Sequence, residues 1–177
     1  MKRVLVVLLT IVLSSCGQSA PQVKAGKVIS CSTISHEVKW VGGPEVECLD
    51  GNPGLQLSAL RGPMVVNVWG SWCTPCEEEL PFFREFYEIA KGKVELVGVA
   101  VEEAKPTDAQ NFVVAQGITW PNLIDIRGTS RSYFGMGVPV TWFINTDGSV
   151  AYKKVGVINS ADELFNLTDK YLGIKLL

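Results

Sequence analysis

The 177-residue sequence predicts an α/β domain: a central mixed sheet flanked by helices, entered through an N-terminal hairpin extension. Three observations predict it. Apolar runs alternate with segments of helical periodicity, in the order strand, helix, strand, helix, strand, helix, strand, strand, helix. Such alternation implies right-handed βαβ units and a mostly parallel sheet. The turn signal Asn145-Thr146-Asp147-Gly148 folds the last two strands into a hairpin and so adds an antiparallel strand. Finally, Trp72-Cys73-Thr74-Pro75-Cys76 lies where the first core strand gives way to the first helix.

Each element has its own warrant. Val28 to Leu60 carries turn signals at Gly42-Gly43-Pro44 and at Asp50-Gly51-Asn52-Pro53-Gly54, and Val46–Leu49 with Leu55–Leu57 reads as a short hairpin around the second. Met64–Trp69 is an apolar run broken only by Asn67, the pattern of a strand covered on both faces. Thr74 to Lys91 is helical, with Leu80, Phe82, Phe83, Phe86, Ile89 and Ala90 recurring at intervals of three and four. Pro81 falls inside it and predicts a kink near Glu77. Val94 to Val101 is a second buried strand, and Thr107 to Gln116 a second helix closed by Gly117. Trp120–Ile124, Gly128–Phe134, Val140–Ile144 and Ser149–Val155 follow as strand, short helix and two strands. Ser160 caps a last helix to about Leu172, with Glu163 completing a capping box.

The N-terminus reads as an export signal. Lys2 and Arg3 precede an apolar stretch, Val4 to Leu13, shorter than the roughly 20 residues that cross a bilayer. Leu13-Ser14-Ser15-Cys16-Gly17 resembles a bacterial lipobox, which makes Cys16 the lipidated first residue of the mature protein. The expected organisation is a signal peptide over 1–15, a lipidated tether over 16–27 and a domain over 28–177, whose extension is 28–60. Five cysteines are an odd number. With Cys16 assigned to lipid, Cys73 pairs with Cys76, and Cys31 and Cys48 remain. Export places these two where disulfides persist. A Cys31–Cys48 bond closes a loop of about 17 residues, worth roughly 3 kcal/mol in the chain-entropy picture; two reduced core cysteines are the alternative. Zinc fits poorly, since Cys31 and Cys48 form no second close-spaced pair and the one histidine, His36, is near neither end of the dithiol. No metal and no separate cofactor is expected beyond the Cys73–Cys76 disulfide itself. A net charge of −2 gives no basic footprint for nucleic acid.

The dithiol carries the chemistry. A helix N-terminus has unpaired N–H groups and a positive dipole end, so it favours a thiolate. The i, i+3 spacing puts both sulfurs on one side of the first turn, and Pro75 suits that turn because its missing N–H has no helical partner. Cys73, nearer the helix start and the exposed sulfur, is the nucleophile; Cys76 resolves the mixed disulfide. Glu79 lies one turn beyond Cys76. Its spacing fits equally a desolvated proton acceptor and a solvated member of Glu77-Glu78-Glu79.

Together with Gly137-Val138-Pro139-Val140-Thr141 before the hairpin, this order resembles the thioredoxin fold. More closely it resembles the exported TlpA/ResA/DsbE-like thiol–disulfide oxidoreductases. The matching pieces are Leu57-Ser58-Ala59-Leu60-Arg61-Gly62, Val65–Trp69, Trp72–Cys76 with Glu79-Leu80-Pro81, and Val138-Pro139 with Phe143–Gly148, over about residues 45–172. The resemblance implies catalytic Cys73 and Cys76, with Glu79 as the proton acceptor. It implies a cis Pro139 facing the dithiol and a substrate surface from Trp72, Thr74, Pro75, Val138 and Pro139. Asn67 stands where cytosolic thioredoxin has an aspartate, and the ResA-like subgroup has Asn there. Thr74-Pro75 excludes the histidine of the strong oxidants. It also brings no positive charge to a thiolate, and three glutamates oppose one; both features point to a reductant. The implied setting is the extracytoplasmic face of the cell membrane, held by the lipid. The implied partners are exported cysteine-containing clients such as apocytochrome c and a membrane thiol reductase, with the chain acting as a monomer. A disulfide oxidase or isomerase remains an alternative. So does a non-catalytic binding module or haem-handling chaperone, against which the intact CxxC argues. A peroxidase would need a separate peroxidatic cysteine, and none is evident.

Overall fold

The computed structural model describes residues 23–135 and 137–177. The expected signal peptide, Cys16 and most of the tether lie outside the described residues. Among the described residues, four α-helices and seven strands form the domain: β1 (Glu45–Cys48), β2 (Leu55–Gln56), β3 (Met64–Trp69), α1 (Thr74–Ala90), β4 (Glu95–Val101), α2 (Pro106–Ala115), β5 (Asn122–Asp125), α3 (Arg131–Phe134), β6 (Val140–Ile144), β7 (Val150–Val155) and α4 (Ala161–Leu172). The strands lie in one sheet in the order β2-β1-β5-β4-β3-β6-β7.

The sheet departs from the expected mostly parallel arrangement. Only β3–β4 and β4–β5 are parallel. The other four pairings are antiparallel: β1–β2 and β6–β7 join consecutive strands, whereas β1–β5 and β3–β6 join strands far apart in the chain. Successive right-handed crossovers β3-α1-β4 and β4-α2-β5 step the same way across the sheet, so α1 and α2 share a face. There they pack with α4 in one core around Val65, Trp69, Leu80, Phe83, Phe86, Val113, Phe143 and Leu164.

The opposite face is where the extension belongs. Met64, Val66 and Val68, with Val97, Val99, Val140, Trp142 and Ile144, are covered there by Cys31, Ile34, Leu57, Leu60 and Phe134. The segment before β3 is therefore half of the core's cover. β1 pairs with β5, Cys48 opposite Leu123. Cys31 and Cys48, both buried, are joined in a disulfide with Cα atoms 5.9 Å apart. All of β3 is buried, in keeping with its unbroken apolar sequence.

α1 runs unbroken through Pro81, an exposed position. Ser160 caps α4 by accepting from the Glu163 N–H at 3.1 Å. The Glu163 carboxylate, however, accepts from the Asn159 N–H at 2.8 Å, one residue before the cap. Two X–Pro bonds are cis, Val138–Pro139 as expected and Gly62–Pro63, which the sequence did not signal.

Candidate active site

β3 ends at Trp69, and the chain turns through Gly70 and Ser71 before α1 begins at Thr74. This turn is clamped from the far side of the site. The Glu103 carboxylate, buried just beyond β4, accepts from the Ser71 N–H at 2.6 Å and from its hydroxyl at 2.6 Å. Its neighbour Glu102 holds a left-handed backbone, φ 57°, and pairs with Arg131 at 2.9 Å. One backbone reversal thus sends two adjacent carboxylates to different partners. Nothing in the Glu102-Glu103 sequence marks either role.

Cys73 is the N-cap of α1, and its Sγ accepts from the Cys76 N–H at 3.2 Å. The two cysteines are disulfide-bonded, S–S 2.11 Å and Cα–Cα 5.3 Å. The helix N-terminus therefore directs a donor at the very sulfur it would hold as a thiolate. Cys73 is less exposed than its position suggested: it keeps 5% of its surface and Cys76 only 1%. Both pack into the helix-side core, which covers them. Trp72 stands outside at 54% exposed, with Thr74 and Pro75 also exposed. Trp69, by contrast, is fully buried, and its indole N–H donates to Asn122 Oδ1 at 3.1 Å. Trp120 is buried as well, whereas Trp40 in the extension is 75% exposed rather than packed.

Glu79 is separated by the structure from its two neighbours in sequence. Glu77 and Glu78 are exposed; Glu79 is fully buried. Its Oε1 accepts from Asn67 Nδ2 at 2.8 Å and its Oε2 from the Ile158 N–H at 2.9 Å. Desolvation dominates these bonds, and the carboxyl titrates at about 7 instead of 4.5. A carboxyl poised near neutral pH, one turn from Cys76, is suited to accept and return a thiol proton. Asn67 thus anchors the Glu79 carboxyl, a contact that its place in an apolar strand did not reveal.

Val138 and Trp72 border a small depression completed by Val101 and Phe134, with the Glu102–Arg131 pair at its rim. Pro139 is buried behind Val138. Among the described residues, Cys31, Cys48 and Asp50 are the one group of side chains close enough to share a metal ion, and two of them are the disulfide. They lie apart from the dithiol, on the other core.

Comparison with known proteins accords with this geometry. The family model described as AhpC/TSA family matches residues 43–153. The thiol-disulfide oxidoreductase ResA of Geobacillus thermodenitrificans is 36% identical over 110 residues, covering 60% of this chain and 63% of that protein. The chain thus spans less than two thirds of the length of that relative. The crystal structure of StoA from Bacillus subtilis superposes with a TM-score of 0.57 at 26% identity, over 68% of this chain and 92% of that one. A secreted Mycobacterium tuberculosis disulfide oxidoreductase homologous to E. coli DsbE gives a TM-score of 0.59 at 25% identity, over 68% and 90% of the two chains. The fold is thioredoxin-like.

Proposed function

The chain belongs to the AhpC/TSA family, and from that membership and its dithiol geometry we propose that it is an extracytoplasmic, lipid-anchored thiol–disulfide oxidoreductase that reduces disulfides in exported proteins such as apocytochrome c. One observation carries the reading: a Cys73–Cys76 pair at the N-terminus of α1, one turn from a buried carboxyl that titrates near neutrality. The names of ResA and of the DsbE homologue support the reaction class. The signal-like N-terminus and the Cys16 lipobox support the location.

The reductive cycle follows from the positions. The Cys73 thiolate attacks one sulfur of the client disulfide, and that client's other cysteine leaves as a thiolate. Glu79 takes the Cys76 proton. The Cys76 thiolate then attacks Cys73 Sγ, closing the Cys73–Cys76 disulfide and releasing the second client thiolate. Two electrons have passed to the client. A membrane thiol reductase restores the pair. Trp72 and Val138 offer an apolar contact to the client segment.

Reduction of insulin or of a scrambled disulfide substrate tests the reaction. Wild-type protein turns over and Cys73→Ser does not. Turnover that survives Cys73→Ser overturns the dithiol mechanism.

A further inference from the structure

Glu103 is a buried side chain that the reaction above leaves unused. It keeps 5% of its surface. Among the described residues the ion pairs take Glu88, Glu102 and Glu163, and none takes Glu103. A buried carboxylate without a counter-ion is expensive. What it has instead is one residue: the Ser71 N–H donates to its Oε1 and the Ser71 hydroxyl to its Oε2, both at 2.6 Å. Two short bonds to one carboxylate fix geometry as well as distance. The preceding residue, Glu102, holds a left-handed φ of 57°. Backbone of that kind is sparsely populated and gathers at functional sites.

The gripped residue belongs to the turn that delivers the dithiol. Ser71 and Trp72 are the middle of that turn, which the Cys73 N–H closes by donating to the Gly70 carbonyl at 3.0 Å. The Trp72 ring folds back over Gly70, where a Cβ would come within 2.7 Å of it. Its indole N–H points at the Val101 carbonyl, at the end of β4, 3.4 Å away. Cys73 follows at once, in the extended conformation of an N-cap, φ −94° and ψ 99°. Only from there does its Sγ accept from the Cys76 N–H at 3.2 Å. The other end of the clamp is firm. β4 lies inside the sheet and is paired as far as Val101, two residues before Glu103. Ser71 is thus tied to the sheet two residues ahead of the attacking sulfur, and Glu103 is the tie.

We propose that Glu103 is a positioning residue of the exchange reaction. Through Ser71 it holds the Gly70–Cys73 turn so that Cys73 Sγ stays on the Cys76 N–H and Trp72 stays beside the dithiol. The inference rests on the dithiol reaction proposed above. It also explains why the residue is a glutamate: a carboxylate offers an acceptor to each Ser71 donor, whereas an amide offers one and turns its NH2 group against the other. Released from the clamp, Cys73 leaves the helix N-terminus that favours its thiolate, and small misplacements of a reacting atom slow a reaction steeply.

The test uses Ser71→Ala, which removes one donor and no charge, and Glu103→Gln. Stopped-flow mixing of each reduced protein with a peptide disulfide gives the exchange rate, and alkylation of Cys73 across pH gives its thiol midpoint. Each single variant exchanges about tenfold more slowly, the loss of one strong hydrogen bond. The double variant is no slower than the singles, because both changes undo one contact. Ser71→Thr keeps both donors and the wild-type rate. In Ser71→Ala the Cys73 midpoint moves to higher pH. A purely structural clamp lowers urea stability in the variants but leaves the exchange rate and the Cys73 midpoint of the folded protein where they were. Wild-type rates in either single variant, an unmoved Cys73 midpoint in Ser71→Ala, or a double variant about a hundredfold slower, the product of independent effects, overturns the assignment. A wild-type protein that exchanges no disulfide overturns the dithiol reading and this inference with it, whereas exchange that is indifferent to Ser71 and Glu103 overturns the inference alone.

Discussion

Glu79→Gln, studied with the Cys73–Cys76 disulfide closed, removes a large pH dependence from the fold. With the disulfide closed neither of those cysteines titrates, so the carboxyl is isolated. Its midpoint is about 7 in the folded protein and 4.5 when exposed. Between these values the native state binds a proton that the unfolded state has lost. Stability therefore falls as pH rises through that window and is level above it. At about 1.4 kcal/mol per pH unit, the span amounts to roughly 3 kcal/mol. The substituted amide stays neutral and has no such slope. It also turns an N–H toward either Asn67 Nδ2 or the Ile158 N–H, which costs about 1–3 kcal/mol for an unpaired buried donor. The variant should thus be less stable than wild type near pH 5 and close to it, or above it, near pH 8. The two urea-derived stabilities are compared across pH 4 to 9, where contributions from other groups cancel in the difference. Equal slopes in the two proteins would refute the burial of an ionisable Glu79.

Three further outcomes follow from the same geometry. Replacing Cys31 and Cys48 by Ala releases a loop with a sequence separation of 17, costs about 3 kcal/mol and lowers the melting temperature, without moving the Cys73–Cys76 reduction potential. Gly98→Ala aims a methyl group at the Asn122 amide and close to the Trp69 indole it accepts from; chemical denaturation should show a loss of about 1–3 kcal/mol, as for overpacking elsewhere. Trp72→Ala removes an exposed ring from the rim of the site. Steady-state kinetics should show a raised KM for protein clients and an almost unchanged rate with a small disulfide.

Much of this was legible in the sequence, because periodicity and punctuation are local. Met64–Trp69 begins and ends as its apolar run does, and α1 opens at Thr74 with Pro75 in its first turn. The dithiol was legible for the same reason, since strand, turn and helix start are contiguous. What stayed hidden was made by distant pairings. The extension read as a separate hairpin, yet Ile34, Leu57 and Leu60 cover half of the sheet, and only the tertiary fold brings them there. At the other end of the sheet β1 joins β5, antiparallel and far away in the chain, a pairing that no local pattern announces. In the site, Glu79 could not be told from Glu77 and Glu78 by spacing. Its partners are a side chain from β3 and the backbone N–H of Ile158, which lies beyond β7. Glu103 was missed outright, since its role depends on a left-handed residue placing it against Ser71.

The redox state of Cys73–Cys76 in the living cell bears most directly on the proposed role. Acid quenching followed by thiol alkylation reports it without purification. A reductant fed by a membrane thiol reductase is found mostly reduced, and mostly oxidised when that reductase is removed. A pair that is mostly oxidised in normal cells contradicts the reductant and leaves an oxidase in its place.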